Sequence, residues 1–139
     1  MTIVGVNFTK IEAEKKEAVK GKININNNVS ISMVEEKNLP ITNEKQKVLA
    51  FTFEFISKYD PDLGFIKIIG EVLHMDSASK AKEILDGWKK DKRLAKEITT
   101  DVLNTVLDKC NIQALVLSEQ INLPPPIPLP KLQLGQKQV

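Results

Sequence analysis

The sequence holds one cysteine, one histidine and a single arginine, Arg93, among its 139 residues. A lone Cys110 permits no internal disulfide and gives no sign of an oxidising compartment. A lone His74 excludes any site that needs two imidazoles, and no cluster has metal-ligand spacing, so no metal is expected. Arginine is the usual bidentate reader of guanine and phosphate, and the net charge is only +2. No nucleic-acid partner is therefore expected. No apolar run approaches the roughly 18 residues of a membrane span. The opening MTIVGVNFTK lacks a basic segment followed by an apolar one, so a cytoplasmic setting is expected. Glycine-rich phosphate loops are missing as well: Gly64 and Gly70 fit no nucleotide-binding pattern, and no cofactor is expected.

The first half alternates with a period of two, the mark of half-buried strands. From Lys22 to Glu35, Ile23, Ile25, Val29, Ile31 and Met33 share one face and polar residues the other. Asn27 interrupts the apolar face, where a bulge or bend is expected. From Lys47 to Lys58, Leu49, Phe51, Phe53 and Phe55 oppose Val48, Ala50, Thr52, Glu54 and Ile56. A loop, Lys37 to Gln46, separates these runs, and the turn Tyr59 to Gly64 leads to a third, Phe65 to Met75. That run is apolar on both faces, as in a strand covered on both sides. Upstream, Ile3 to Ala18 reads as another strand with a turn at Val19-Lys20-Gly21, although Glu12 to Glu17 would suit a helix by propensity.

The second half reads as helix. Asp76 or Ser77 caps a first stretch over Lys80 to Leu85, which Gly87 weakens or ends. Asp91 caps a longer helix from Lys92 to about Ser118, with Asn111 a candidate kink. Leu94, Ile98, Val102, Val106 and Cys110 form its apolar stripe. Pro124-Pro125-Pro126 stops it, and Leu123, Ile127, Leu129, Leu132 and Leu134 punctuate an extended, polyproline-like tail. A strand of about 12 residues and a helix of about 27 both span roughly 40 Å, so the helix can cover one sheet face. The expected architecture is α+β: a four-stranded antiparallel sheet with a long C-terminal amphipathic helix on one face. Residues 1–123 form one domain and residues 124–139 the tail. The other face carries more apolar surface than the chain can hide, which points to a second subunit or a substrate.

No constellation supports an enzyme. His74 ends a strand with no positioned partner, Cys110 is a small hydrophobe on the helix stripe, and Glu12, Glu14, Glu17, Glu35 and Glu36 are solvated surface. The stripe of Phe51, Phe53 and Phe55 is either core beneath the helix or the floor of a groove for apolar segments.

The order of elements resembles the SecB-like chaperones. VNFTKIEAEKKEA is similar to that family's first strand, KVLAFTFEFISKY and GFIKIIGEVLHM to its third and fourth, and TTDVLNTVLDKCN followed by INLPPPIPLP to its helix and the segment after it. The resemblance covers about residues 3 to 130 as an arrangement more than residue by residue. It implies dimers or tetramers that hold non-native polypeptides in apolar grooves. The family's acidic surface for the SecA motor is missing, since the strands offer Lys67 and Glu71, and QLGQKQV is no zinc-binding tail. SecA binding is not expected. The expected function is an ATP-independent holdase for unfolded or nascent polypeptides, with Phe51, Phe53, Phe55, Met33, Leu39, Ile127 and Leu129 meeting the client. The alternative is an oligomeric scaffold, or a dedicated partner-binding protein, that spends the same surfaces on assembly.

Overall fold

The computed structural model describes residues 2–16, 21–40 and 45–130. Four strands come first, β1 (Thr2–Lys15), β2 (Asn24–Lys37), β3 (Gln46–Asp60) and β4 (Gly64–Ser77). Two helices come after them, α1 (Ala78–Asp91) and α2 (Lys96–Gln120). The strands form one antiparallel sheet in the order β1-β4-β3-β2, so β1 and β2 are its edges. The α+β architecture expected from the alternation is therefore the one observed. The end of β1 obeys pairing and not helix propensity: Glu12 and Glu14 lie opposite Lys67 and Phe65 of β4. Ala18, the turn residues Val19 and Lys20, part of the loop before β3, and the tail beyond Pro130 lie outside the described residues.

The inner face is set by the register. Phe51, Phe53 and Phe55 of β3 stand opposite Val34, Ile31 and Val29 of β2 and opposite Val72, Gly70 and Ile68 of β4. Both helices pack on this face. Ala81, Ile84 and Trp88 of α1, and Ile98, Val102, Val106, Cys110 and Ala114 of α2, join the phenylalanines in one buried cluster. The spacing of four in α2 keeps its stripe on the sheet along the whole helix.

Several local expectations change. Gly87 does not end α1, which continues to Asp91 and closes on Lys92 in the left-handed conformation. One helical glycine costs about 1 kcal/mol, whereas burying a side chain such as Trp88 just beyond it contributes about 1.5–3 kcal/mol. Asp91 is thus the last residue of α1, and the cap position of α2 is Ala95, which makes no side-chain cap bond. Asn111 does not interrupt α2. The helix ends before the prolines because Asn122 adopts a left-handed φ of 55°, and the Leu123 amide donates to the Ser118 carbonyl at 2.9 Å.

The bulge in β2 is not at Asn27. Ile31 pairs with Phe53 and Met33 with Thr52, so Ser32 is the extra residue. The bulge reverses the phase of the rest of the strand: Val34 turns inward and is buried, while Met33 turns to the outer face and is 50% exposed. The outer face is mixed. Val48 and Ala50 are buried, Ile56, Phe65, Ile69 and Leu73 are half-buried, and the ion pairs Lys37–Glu71 (3.2 Å) and Lys67–Glu54 (3.9 Å) run among them. Ile66, Ile68 and Val72 point inward.

Candidate functional site

Open apolar surface gathers where α2 ends above the start of β2 and the end of β3. The inner phase of β3 runs Phe55, Ser57, Tyr59, and its partners on β2 are Val29, Asn27 and Ile25. Two polar residues, Ser57 and Asn27, therefore face each other at positions whose neighbours are apolar. Ser57 is fully buried, and its hydroxyl donates to the Asn27 side-chain carbonyl at 2.6 Å. That bond fixes the orientation of the Asn27 amide, whose NH2 points outward from the floor. Tyr59 is 1% exposed, and burial pushes its phenol pKa up to about 12, so its hydroxyl remains a neutral donor.

Both donors hold the chain beyond α2. Tyr59 Oη donates to the Pro124 carbonyl, and Asn27 Nδ2 donates to the Pro126 carbonyl at 2.8 Å. Leu123 and Pro126 are buried, and residues 124–129 lie across the floor as a strap. Open apolar space remains on both sides of it. A cavity of about 700 Å³ lies between the strap and α2, lined by Leu115, Val116, Leu123 and Leu129 among others. A second of about 690 Å³ lies between the strap and β2, lined by Ile25, Asn27, Ile127 and Leu129 among others.

The residues named from sequence fall into four places. Ile127 and Leu129 lie together on the strap, the latter 45% exposed. Phe51, Phe53 and Phe55 are 0%, 0% and 1% exposed. They form the core beneath the helices and present no surface to a ligand in this structure. Met33 is on the opposite face, and Leu39 lies just past the C-terminal end of β2, at the far end of that strand from Asn27. Sequence reasoning does not single out Tyr59, Ser57, Leu115 or Val116 for the site, and it marks Asn27 only as a bulge. The available signal is the pair Asn27 and Ser57, polar residues at inward positions of two alternating runs, which require a polar partner when buried.

The two chemically versatile residues lie elsewhere. Cys110 is fully buried in α2, and desolvation pushes its thiol pKa up to about 12, so it stays protonated. His74 is 1% exposed on β4, edge-on to Phe51 with ring centroids 5.9 Å apart. Its Nδ1 has no hydrogen-bond partner among the described residues, and burial lowers its pKa. No helix among the described residues is long and apolar enough to cross a membrane.

The architecture defines a class: a four-stranded antiparallel sheet, covered on one face by a helical layer and closed by a C-terminal strap. This is the SecB-like fold. The SecB-like chaperone Rv1957 of Mycobacterium tuberculosis, solved in complex with a ChAD peptide from the Rv1956 HigA1 antitoxin, superposes with a TM-score of 0.54 over 97% of this chain and 92% of that one, at 15% sequence identity. No family model matches the sequence, and no curated protein matches it either.

Proposed function

We propose that this protein is an ATP-independent holdase that binds apolar segments of unfolded or nascent polypeptides in the groove between the end of α2 and the start of β2, which the strap crosses. The observation that carries this reading is the pair of open apolar cavities flanking residues 124–129, with Leu115 and Val116 of α2 on one side and Ile25 of β2 on the other. Each apolar client side chain fully withdrawn from water there contributes about 1.5–3 kcal/mol. Several shallow contacts of this kind give affinity with little sequence discrimination. The fold shared with a chaperone that holds a peptide supports the reading. Suppression of the aggregation of a chemically denatured, unrelated protein, monitored by light scattering at stoichiometric ratios without nucleotide, is the expected result. No effect at large molar excess overturns it.

A second reading, an assembly scaffold, is favoured by a different observation. The edge strand β1 carries Val4, Phe8 and Ile11 at 38%, 37% and 46% exposure. The mass of the protein in solution, alone and with denatured client, separates the two. A fixed oligomer that binds no client favours the scaffold.

A further inference from the structure

We infer that residues 124–130 are a displaceable strap that occupies the client site in the resting protein and competes with the client for it. The inference rests on the holdase reading and adds how that site is regulated. The first observation is how the strap is held. Tyr59 Oη and Asn27 Nδ2 donate to the carbonyls of Pro124 and Pro126, which are alternate residues. Main-chain carbonyls at that spacing occur in any extended polypeptide, so this grip is blind to side chains.

The second observation is how little else the strap offers. Between residues 124 and 130 only Ile127 and Leu129 carry an amide N–H, since Pro124, Pro125, Pro126, Pro128 and Pro130 occupy the other positions. The strap lies beside the edge strand β2 and cannot pair with it as a fifth strand, because most of its donors are missing. An ordinary client segment has those donors and can pair. The third observation is incomplete filling. Cavities of about 700 Å³ and 690 Å³ remain on either side of the strap, and Leu129 is 45% exposed. A segment that accepts two side-chain hydrogen bonds, donates few and under-fills its groove is suited to leave when a better-filling chain arrives.

The test loosens the strap while sparing the floor. In the full-length chain, Ile127→Ser with Leu129→Ser removes the strap's two apolar side chains beyond the prolines. Leu129→Ser alone, at a half-exposed position, is the variant that preserves the fold if the double variant does not. The probes are a labelled, reduced and carboxymethylated unfolded protein and a synthetic peptide of residues 121–130, both measured by fluorescence anisotropy. Binding of the unfolded protein at least about fivefold tighter than to the parent chain, with displacement by the strap peptide, is expected. Equal or weaker binding to the loosened variants overturns the competition and makes the strap a fixed wall of the site, while the holdase reading survives. Failure of the peptide to displace the client also overturns it. If neither protein binds the unfolded probe, the holdase reading fails and the competition with it.

Discussion

Phe8 and Phe53 meet edge to face over Gly70, their ring centroids 6.4 Å apart at 80°. The three residues stand in one row across β1, β4 and β3. The contact exists because the middle residue has no side chain. A Cβ at Gly70 would lie 2.2 Å from the Asn7 carbonyl oxygen and 2.8 Å from Phe53 Cζ. The backbone oxygen cannot yield as a flexible side chain would, so β1 must shift. Gly70→Ala is expected to destabilise the protein by about 1–3 kcal/mol, the usual range for overpacking. Urea unfolding monitored by circular dichroism measures this, and an unchanged midpoint refutes the account.

His74 gives the fold a defined acid response. Its ring is buried against Phe51, and burial is the largest cause holding its pKa below 6.5, with the opposing fields of Asp76 and Asp101 weaker. The unfolded chain therefore binds a proton more readily than the folded one. Above the unfolded value of about 6.5 the ring is neutral in both states, and its contribution to stability is fully present. As the pH falls through that value towards the lower folded pKa, the contribution is lost. Denaturant midpoints between pH 8 and pH 5 are expected to decline more steeply for the parent than for His74→Leu. Parallel profiles for the two proteins contradict the assignment.

Much of the sheet is legible in the sequence because burial on one face writes itself as alternation. The row of Phe51, Phe53 and Phe55 is the clearest case, and its inward orientation comes from the same periodicity. What alternation cannot encode is a change of phase. Met33 and Val34 are adjacent and both apolar, so either one can point inward, and only the pairing of β2 with β3 decides it by placing Ser32 in a bulge. The helix boundary at Asp91 is obscure for a related reason. A carboxylate is a good cap by type, but burial of Trp88 extends the preceding helix past Gly87 and moves the break to Lys92. The candidate site is only half legible. Ile127 and Leu129 stand out as apolar residues between prolines. Their setting depends on Tyr59 and Asn27, which are 65 and 99 positions away in the chain from the carbonyls they hold.

Cys110 reports on global unfolding. Its thiol is fully buried among sheet-facing residues of α2, and its pKa is pushed up to about 12, so almost no thiolate exists at neutral pH. A disulfide reagent such as dithionitrobenzoate needs both access and thiolate. Labelling in the native state is expected to be slow and to accelerate with urea in step with the loss of circular dichroism. Rapid stoichiometric labelling of the native protein shows that α2 separates from the sheet locally.

Val116 and Ile112 distinguish the proposed client surface from exposed apolar surface in general. Both are on the outer side of α2, at 45% and 66% exposure, but only Val116 lines the cavity beside the strap. Val116→Glu puts a charge where a client side chain would have to be desolvated, whereas Ile112→Lys changes a position outside that lining. Neither side chain is in the core, and both replacements are good helix formers, so stability is expected to change by no more than about 0.5 kcal/mol. Burying an unpaired charge is far more costly than losing one apolar contact. Val116→Glu is therefore expected to weaken binding of an unfolded polypeptide by about tenfold, corresponding to about 1.4 kcal/mol, while Ile112→Lys leaves it near the parent value. Equal losses in both variants would mean that the whole exposed side of α2 contacts the client. No loss in Val116→Glu would remove the α2 side of the strap from the binding surface.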